Sequence, residues 1–284
     1  MPDITTLITG AVEVLRSSGV PHARQDAGLL LAHVLGSDRT FIITNPEEPV
    51  SDLTVVQFDE AIQRRAAGEP VQYITGEQEF YKLQFEITPD VLIPRPETEL
   101  VVEHALRFMP RSESALQICD VGTGSGCILV SLLNERPNAQ GVGIDISERA
   151  IRVARRNADK HDVLGRLALV VSDCLDAIIQ RPIFDLIVSN PPYVAADSIS
   201  GLQREVRDYE PRAALSPGGD GLSVIHKLLD QTAGVVKSGG HLLIEIGFDQ
   251  HEKVVRRVDQ KVWKLLDVHE DLQGIPRTVV LEKR

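Results

Sequence analysis

Cysteine is scarce in this 284-residue chain. The three present, Cys119, Cys127 and Cys174, form no C-x-x-C pair, so neither a zinc knuckle nor a redox motif is indicated. An odd number of unpaired thiols fits a reducing compartment better than a secreted one. Long apolar runs are also missing. The longest, Leu29 to Leu35, contains His33 and falls far short of the roughly 20 residues that a membrane helix needs. The opening MPDITTLITG has no basic n-region and no sustained apolar h-region, so no signal peptide is read. A soluble cytoplasmic protein with no membrane association is expected. Positive charge is the third shortage. Lys and Arg number 30 against 41 Asp and Glu, a net charge of −11. Stable nucleic-acid binding needs clustered cations to displace counterions and is not expected here. An acidic surface favours a basic protein partner instead. A monomer is expected, with no metal.

What is present is an ordinary globular balance, 43% hydrophobic and 25% charged, on a chain long enough to bury a core without staples. The segment 1–71 reads as a small helical bundle. Leu7, Ala11, Val14 and Leu15 recur at helical spacing. A second helix is expected from Ala23 to Leu35, ending at Gly36, and a third capped by Ser51 and carrying Phe58 and Ile62 toward Gly68. This bundle serves either as a cap on the larger domain or as a docking module for a macromolecule. Over 72–94 the pattern alternates through Tyr73, Ile74, Phe80, Tyr81, Leu83, Phe85 and Ile87, which predicts a β-hairpin linker. From 95 to 284 strands alternate with helices. Strands are expected at Leu116–Asp120, Gly141–Asp145, Leu167–Val171, Phe184–Ser189 and His241–Ile246, with helices such as Glu148–His161 and Leu222–Val236 between them. Repeated β-α units imply a parallel sheet. Val262–Val268 and Arg277–Glu282, separated by a short loop, predict an antiparallel pair at the end.

A glycine-rich turn follows the first of these strands: Asp120-Val121-Gly122-Thr123-Gly124-Ser125-Gly126. Glycines let a backbone approach a ligand closely, and open α/β sheets bind ligands at strand carboxyl ends. The dinucleotide fingerprint G-x-G-x-x-G/A needs a small residue at position 127, where this chain has Cys127. That disfavours a pyrophosphate. Asp120 instead suits the cationic amino group of the methionine part of S-adenosylmethionine. Asp145, ending the second strand, either accepts from ribose hydroxyls or caps the helix beginning near Glu148. Asp173 and Cys174 follow the third strand, and Asp173 either accepts from an adenine amino group or caps a turn.

The most specific feature follows the fourth strand: Asn190-Pro191-Pro192-Tyr193. Consecutive prolines stiffen the loop and remove two backbone donors. The Asn190 side-chain oxygen and the Pro191 carbonyl can then serve as two fixed acceptors for an NH2 group on a planar system, against which Tyr193 offers a flat face. That describes an amide, an adenine or a guanine. Such a nitrogen has a delocalised lone pair. Two acceptors orient its N–H bonds and stabilise the positive charge that develops during attack.

Together these motifs resemble the protein-(glutamine-N5) methyltransferases that modify peptide-chain release factors. The resemblance covers nearly the whole chain. Besides Asp120–Gly126 and Asn190–Tyr193 it rests on Arg65–Pro70 with Gln72–Ile74, Glu79–Tyr81, Ile93–Glu99 (Ile-Pro-Arg-Pro-Glu-Thr-Glu), Tyr209–Arg212 with Ala214–Leu215, and Ile244–Gly247. It implies a Rossmann-like class I methyltransferase, a mostly parallel seven-stranded sheet with an antiparallel end hairpin, preceded by a small helical bundle. It implies that 1–71 binds the release factor and that the substrate is the glutamine of the Gly-Gly-Gln loop in class 1 release factors. It implies S-adenosylmethionine as methyl donor, S-adenosylhomocysteine as product, and cofactor contacts from Gly122 to Gly126, Asp145, the residue after Asp173, and Asn190. At Cys174 the family often carries a larger side chain against adenine. Phe80 and Arg95–Thr98 are implied either beside the transferred methyl or in the packing of the linker. The same chemistry on a ribosomal-protein glutamine, or on a nucleic-acid amino group, is the alternative.

Overall fold

A computed structural model describes residues 1–110 and 115–284. Contacts sort them into two units, residues 1–77 with 203–209, and residues 78–202 with 210–284.

The first unit is helical: α1 (Ile4–Ser17), α2 (Ala23–Leu35), α3 (Arg39–Thr44), α4 (Asp52–Ala66) and α5 (Val71–Thr75), joined by the short helix Arg204–Tyr209. Its ends follow local chemistry. Asp3 and Ser51 cap α1 and α4 by accepting from Thr6 N at 2.7 Å and Thr54 N at 3.2 Å. Gly36 ends α2 with a φ of 61°, where a Cβ is disfavoured. Ile4, Leu15, Leu30, Leu31, Phe58 and Ile62 form one apolar core. Arg65 is buried in this unit and paired on two sides, with Asp26 and Glu205, each at 2.7 Å. A buried guanidinium is tolerated only when paired in this way.

Two readings need correction. Tyr73 and Ile74 belong to the helical turn α5, not to a strand. Val71 and Ile74, three residues apart, both turn into the helical core, and Gly76 at φ 76° closes the turn. The helix expected to reach Val236 stops at Thr232, and Val236 already begins a strand.

The second unit opens with a hairpin, β1 (Glu77–Phe80) and β2 (Leu83–Glu86). Its turn residues Tyr81 and Lys82 sit at φ 49° and 64°, as a two-residue primed turn demands. After α6 (Glu99–Arg107) comes the main sheet: β3 (Gln117–Val121), β4 (Gln140–Asp145), β5 (Leu167–Val171), β6 (Phe184–Ser189), β7 (Val236–Glu245), β8 (Trp263–Glu270) and β9 (Pro276–Lys283). Spatial order is β5-β4-β3-β6-β7-β9-β8. The first five strands of the order are parallel, and β9 runs antiparallel to both β7 and β8. Ile118, Leu186, Ile187, Val188, Leu242 and Leu243 are all buried, the near-continuous apolar pattern of strands covered on both faces. Among the covering helices are α7 (Cys127–Glu135) and α8 (Glu148–Lys160). Chain order departs in opposite directions from β3, toward β4 on one side and β6 on the other. That switch point is where an open α/β sheet leaves a crevice.

Candidate active site

The crevice is a cavity of ≈ 450 Å³ at the carboxyl ends of β3, β4, β5 and β6, inside the second unit. Four loops, the segment before α6, residues 211–217 and the start of the helix Ser223–Thr232 line it.

The first loop is the glycine turn. Gly122, Gly124 and Gly126 have φ of 77°, 55° and 81°, all in the left-handed region that favours glycine. The backbone N–H groups of Gly122 and Thr123 donate to Ile144 O at 2.8 and 2.9 Å, which presses the turn onto β4. Gly143 permits this closeness, because a Cβ there would lie 2.9 Å from Leu169 Cδ2 and 3.3 Å from Thr123 Oγ1. Asp120 lies beneath the turn, 1% exposed. Its Oδ2 accepts from the Thr123 hydroxyl at 2.7 Å, and its buried Oδ1 has no partner. Burial pushes its carboxyl up to about 7, against the pull of the Thr123 hydroxyl. An unpartnered buried carboxylate oxygen suits a cationic donor. Asp120 and Gly126 sit behind the cavity wall, while Gly122, Thr123, Gly124 and Ser125 line it.

Asp145 ends β4 and does not cap α8. That cap is Ser147, whose hydroxyl accepts from Ala150 N at 3.2 Å. Asp145 instead accepts from Gly124 N and Ser147 N, both at 2.9 Å, at the cavity edge. Burial raises its carboxyl above the usual range. Asp173 and Cys174 also border the cavity. The Asp173 carboxylate pairs with Lys227 Nζ at 2.8 Å, so its negative charge is already engaged. Cys174, at φ 48° and 8% exposed, has a thiol pushed up to about 12 by burial.

The fourth loop begins where Ser189, at the end of β6, donates its hydroxyl to Val121 O at 2.6 Å. Asn190, Pro191 and Pro192 line the cavity. Asn190 Nδ2 donates to Thr98 Oγ1 at 3.0 Å, which leaves Oδ1 as the edge available to a ligand. Tyr193 is placed differently from expectation. Its ring packs into the core and is absent from the cavity lining, and its hydroxyl donates to Glu245 Oε1 at 3.3 Å. It offers no stacking face there. The Tyr193 carbonyl accepts from Gln250 Nε2 at 2.8 Å, and Gln250 in turn accepts from Gly247 N at 2.9 Å. Gly221, at φ 84°, sits against the same carbonyl, where a Cβ would collide.

Several positioning residues went unread in the sequence. Asn157 of α8 is fully buried and donates to Ser125 O at 2.9 Å and to Glu86 O at 3.0 Å, tying the glycine turn to β2. The signal was there: Asn157 continues the buried stripe Ala150, Val153, Ala154 and Ala158, a polar side chain at an apolar position. Glu210 accepts from Ile93 N at 3.2 Å and pairs with Arg95, anchoring the segment before α6. Phe80 is buried against Phe85 at a ring separation of 6.2 Å and does not line the cavity, whereas Thr98 does. Among the described residues, no group of His, Cys, Asp and Glu is placed to hold a metal ion. None of the described helices is long and apolar enough to cross a membrane.

Comparison with known proteins bears on family and fold. Residues 6–76 match the model of the PrmC N-terminal domain, and residues 112–261 that of a methyltransferase domain. The chain is 42% identical over 273 residues to a release factor glutamine methyltransferase of Koribacter versatilis, covering 96% of each. The chain belongs to the release factor glutamine methyltransferase family. A second family member, from Nitratidesulfovibrio vulgaris, is 38% identical and covers 96% of this chain and 92% of its own. In fold the chain is similar to a methyltransferase from Pyrococcus furiosus, with a TM-score of 0.51 and 17% identity over 70% of this chain and 88% of that one. A methyltransferase domain implies S-adenosylmethionine, and the residues present fit it. The unpartnered Asp120 oxygen suits its ammonium group, the glycine turn leaves room for its backbone-like chain, and Asp145 can accept from ribose hydroxyls.

Proposed function

We propose that this chain methylates the side-chain amide nitrogen, N5, of the glutamine in the Gly-Gly-Gln motif of class 1 peptide-chain release factors, and so supports translation termination. The observation that carries the reading is the Asn190 amide, held by Thr98 with its oxygen left for the cavity, in a chain of this family. When bound, S-adenosylmethionine supplies a methyl group on a sulfonium; transfer breaks one C–S bond, forms one C–N bond, and leaves S-adenosylhomocysteine and a proton.

The chain's own residues supply position and charge. Asp120, Gly122–Gly126, Asp145 and the Asp173–Cys174 corner hold the cofactor. Asn190 Oδ1 and the Pro191 carbonyl accept from the two N–H bonds of the substrate amide and stabilise the charge that grows on nitrogen. Pro192 stiffens that pair. Tyr193 holds the loop from behind through Glu245 instead of stacking on substrate. Holding both reactants in line makes the transfer effectively unimolecular. Residues 1–77 with 203–209 serve as the release-factor-binding domain, and residues 78–202 with 210–284 as the catalytic domain. The enzyme acts as a cytoplasmic monomer without a metal, and its −11 net charge disfavours stable nucleic-acid binding.

The test is the intact mass of a purified class 1 release factor after incubation with the protein and S-adenosylmethionine. One added methyl, absent when the Gly-Gly-Gln glutamine is replaced, is expected. A methylated ribosomal protein with an unmodified release factor would keep the chemistry and change the partner.

A further inference from the structure

The cavity has no aromatic wall. Among the described residues, no Phe, Tyr, Trp or His lines it. Tyr193, the ring that follows Pro192 in the chain, is held out of it on three sides. Its hydroxyl donates to Glu245 Oε1 at 3.3 Å, and its carbonyl accepts from Gln250 Nε2 at 2.8 Å. Gly247 packs so close to the ring that a Cβ there would lie 3.3 Å from Tyr193 Cδ2.

Asn190, Pro191 and Pro192 share the cavity instead with a second run of stiff or short side chains, Pro211, Ala213, Ala214 and Pro217. This run includes the short helix Arg212–Leu215, whose Arg212 and Leu215 do not line the cavity. Two bonds lay it alongside the continuation of the Asn190 loop. Val194 N donates to Leu215 O at 2.9 Å, and Ser216 Oγ donates to Val194 O at 2.5 Å. Its start is fixed by Glu210, which accepts from Ile93 N at 3.2 Å and pairs with Arg95.

We propose that Ala213 and Ala214 are specificity-determining residues. With Pro191 and Pro192 they form an aliphatic slot that admits the two methylenes of a glutamine side chain and gives a nucleobase no ring to stack on. The inference rests on the proposed glutamine substrate.

The acceptors at Asn190 and Pro191 do not choose between an amide and the amino group of a base, because both present the same pair of N–H bonds. The walls choose. A base in a nucleic acid must leave its stack, and enzymes that modify bases offset that cost by stacking the base between side chains, for which aromatic rings offer the broadest face. Alanine methyls and proline rings offer no π-face. The cofactor's own adenine comes from solution and has no stack to give up. Neither has a glutamine side chain, whose methylenes need only apolar contact. Proline is too stiff and alanine too short to fold into the space left for it. Net charge discriminates against nucleic acid at a distance and fades with salt. The walls discriminate at contact, where salt does not weaken them.

The experiment is methyl transfer by the full-length wild type, A213F, A214F, A213S, A214S and R212F, with calorimetric cofactor affinity for each. The acceptor is a purified class 1 release factor or, separately, an adenine-containing single-stranded oligonucleotide. One methylene too many in a pocket lowers kcat/KM by about 10- to 200-fold, and a phenyl ring is larger. A213F and A214F are therefore expected to lower kcat/KM on the release factor by at least roughly 10²-fold, with cofactor affinity little changed. The serine variants should recover most of that loss. No methyl should reach the oligonucleotide. Near-wild-type turnover by both phenylalanine variants overturns the inference, as does an equal loss in R212F, whose side chain lies outside the cavity. A matching loss of cofactor affinity overturns it by assigning these alanines to the cofactor, and methylation of the oligonucleotide overturns it as well. A wild type that leaves the release factor unmodified overturns the underlying reading of the substrate instead. Should A214F fail to fold, A213F, at an exposed position, decides.

Discussion

Asp145 shows how much one side chain can carry. Its two oxygens take backbone N–H groups from Gly124 and Ser147, at 2.9 Å each, and it still borders the cavity. Asp145→Ala should weaken S-adenosylmethionine binding by roughly 10- to 100-fold, the effect of losing a hydrogen bond to a charged group. Calorimetric titration reads it, and an unchanged affinity would reduce Asp145 to a brace for the turn. That a carboxylate ends β4 was legible in the sequence. Which of two duties it performs was not, because both a cap and a ligand acceptor want an oxygen in that place. Ser147, two residues on, takes the cap. Tyr193 teaches the reverse. Its identity as an aromatic was plain, but the direction of its ring depends on Glu245, 52 residues away in the chain. Thr98 was likewise visible within a distinctive segment, yet its task appears only when Asn190, 92 residues later, is brought to it.

Elements were legible where local chemistry ends them. Gly36 closes α2 at the expected residue, and Ser51 caps α4. Ser51→Ala should destabilise α4 by about 1 kcal/mol, seen as faster amide hydrogen exchange in Asp52–Phe58 than in α1; equal protection would mean that Thr54, whose hydroxyl lies 2.8 Å from that of Ser51, substitutes as cap. Strands of the parallel sheet were legible as unbroken apolar runs, both at the sheet edge, where Leu167–Val171 is only partly covered, and inside it, where Phe184–Ser189 is almost wholly buried. Expectation and structure coincide at Leu167–Val171 and Phe184–Ser189. Failures occurred where two periods share the same few residues. Val71, Tyr73 and Ile74 satisfy a helical turn as well as an alternating strand, and the helical core decides between them. Beyond Thr232, apolar Val235 and Val236 extend the helix pattern, but both turn into the sheet core. Neither outcome is encoded within the segment itself.

The whole molecule carries buried groups that oppose one another in pH. His104 is buried with both ring nitrogens unpartnered, and burial, with His269 and Arg107 adding to it, lowers its pKa to about 4. Between about 4 and the ordinary value of 6.5 the unfolded chain binds this proton and the folded one does not, so acid destabilises the fold through His104. Asp120 and Glu245 are each pushed up to about 7 by burial, from ordinary values of 3.8 and 4.5. From there up to about 7 the folded state holds the extra protons, so stability falls as pH rises through that window. Burial also raises Asp145 and lowers His241 and His269. The carboxyls and imidazoles thus oppose one another evenly, and the net charge of −11, whose repulsion grows with pH, sets the direction. The unfolding temperature without cofactor should therefore be lower at pH 8 than at pH 5.5, with a smaller difference in Asp120→Asn; a rise with pH in calorimetric scans would show that the histidines dominate. At this scale the alternation of strands and helices was enough to give the sheet. What no local pattern disclosed is that residues 203–209 join the helical unit. That has a consequence in time. The amino-terminal helices leave the ribosome early, yet Arg65 lacks its second carboxylate until Glu205 has been made. During synthesis the first unit waits, unfinished, for a piece of chain that arrives only after most of the sheet strands have been translated.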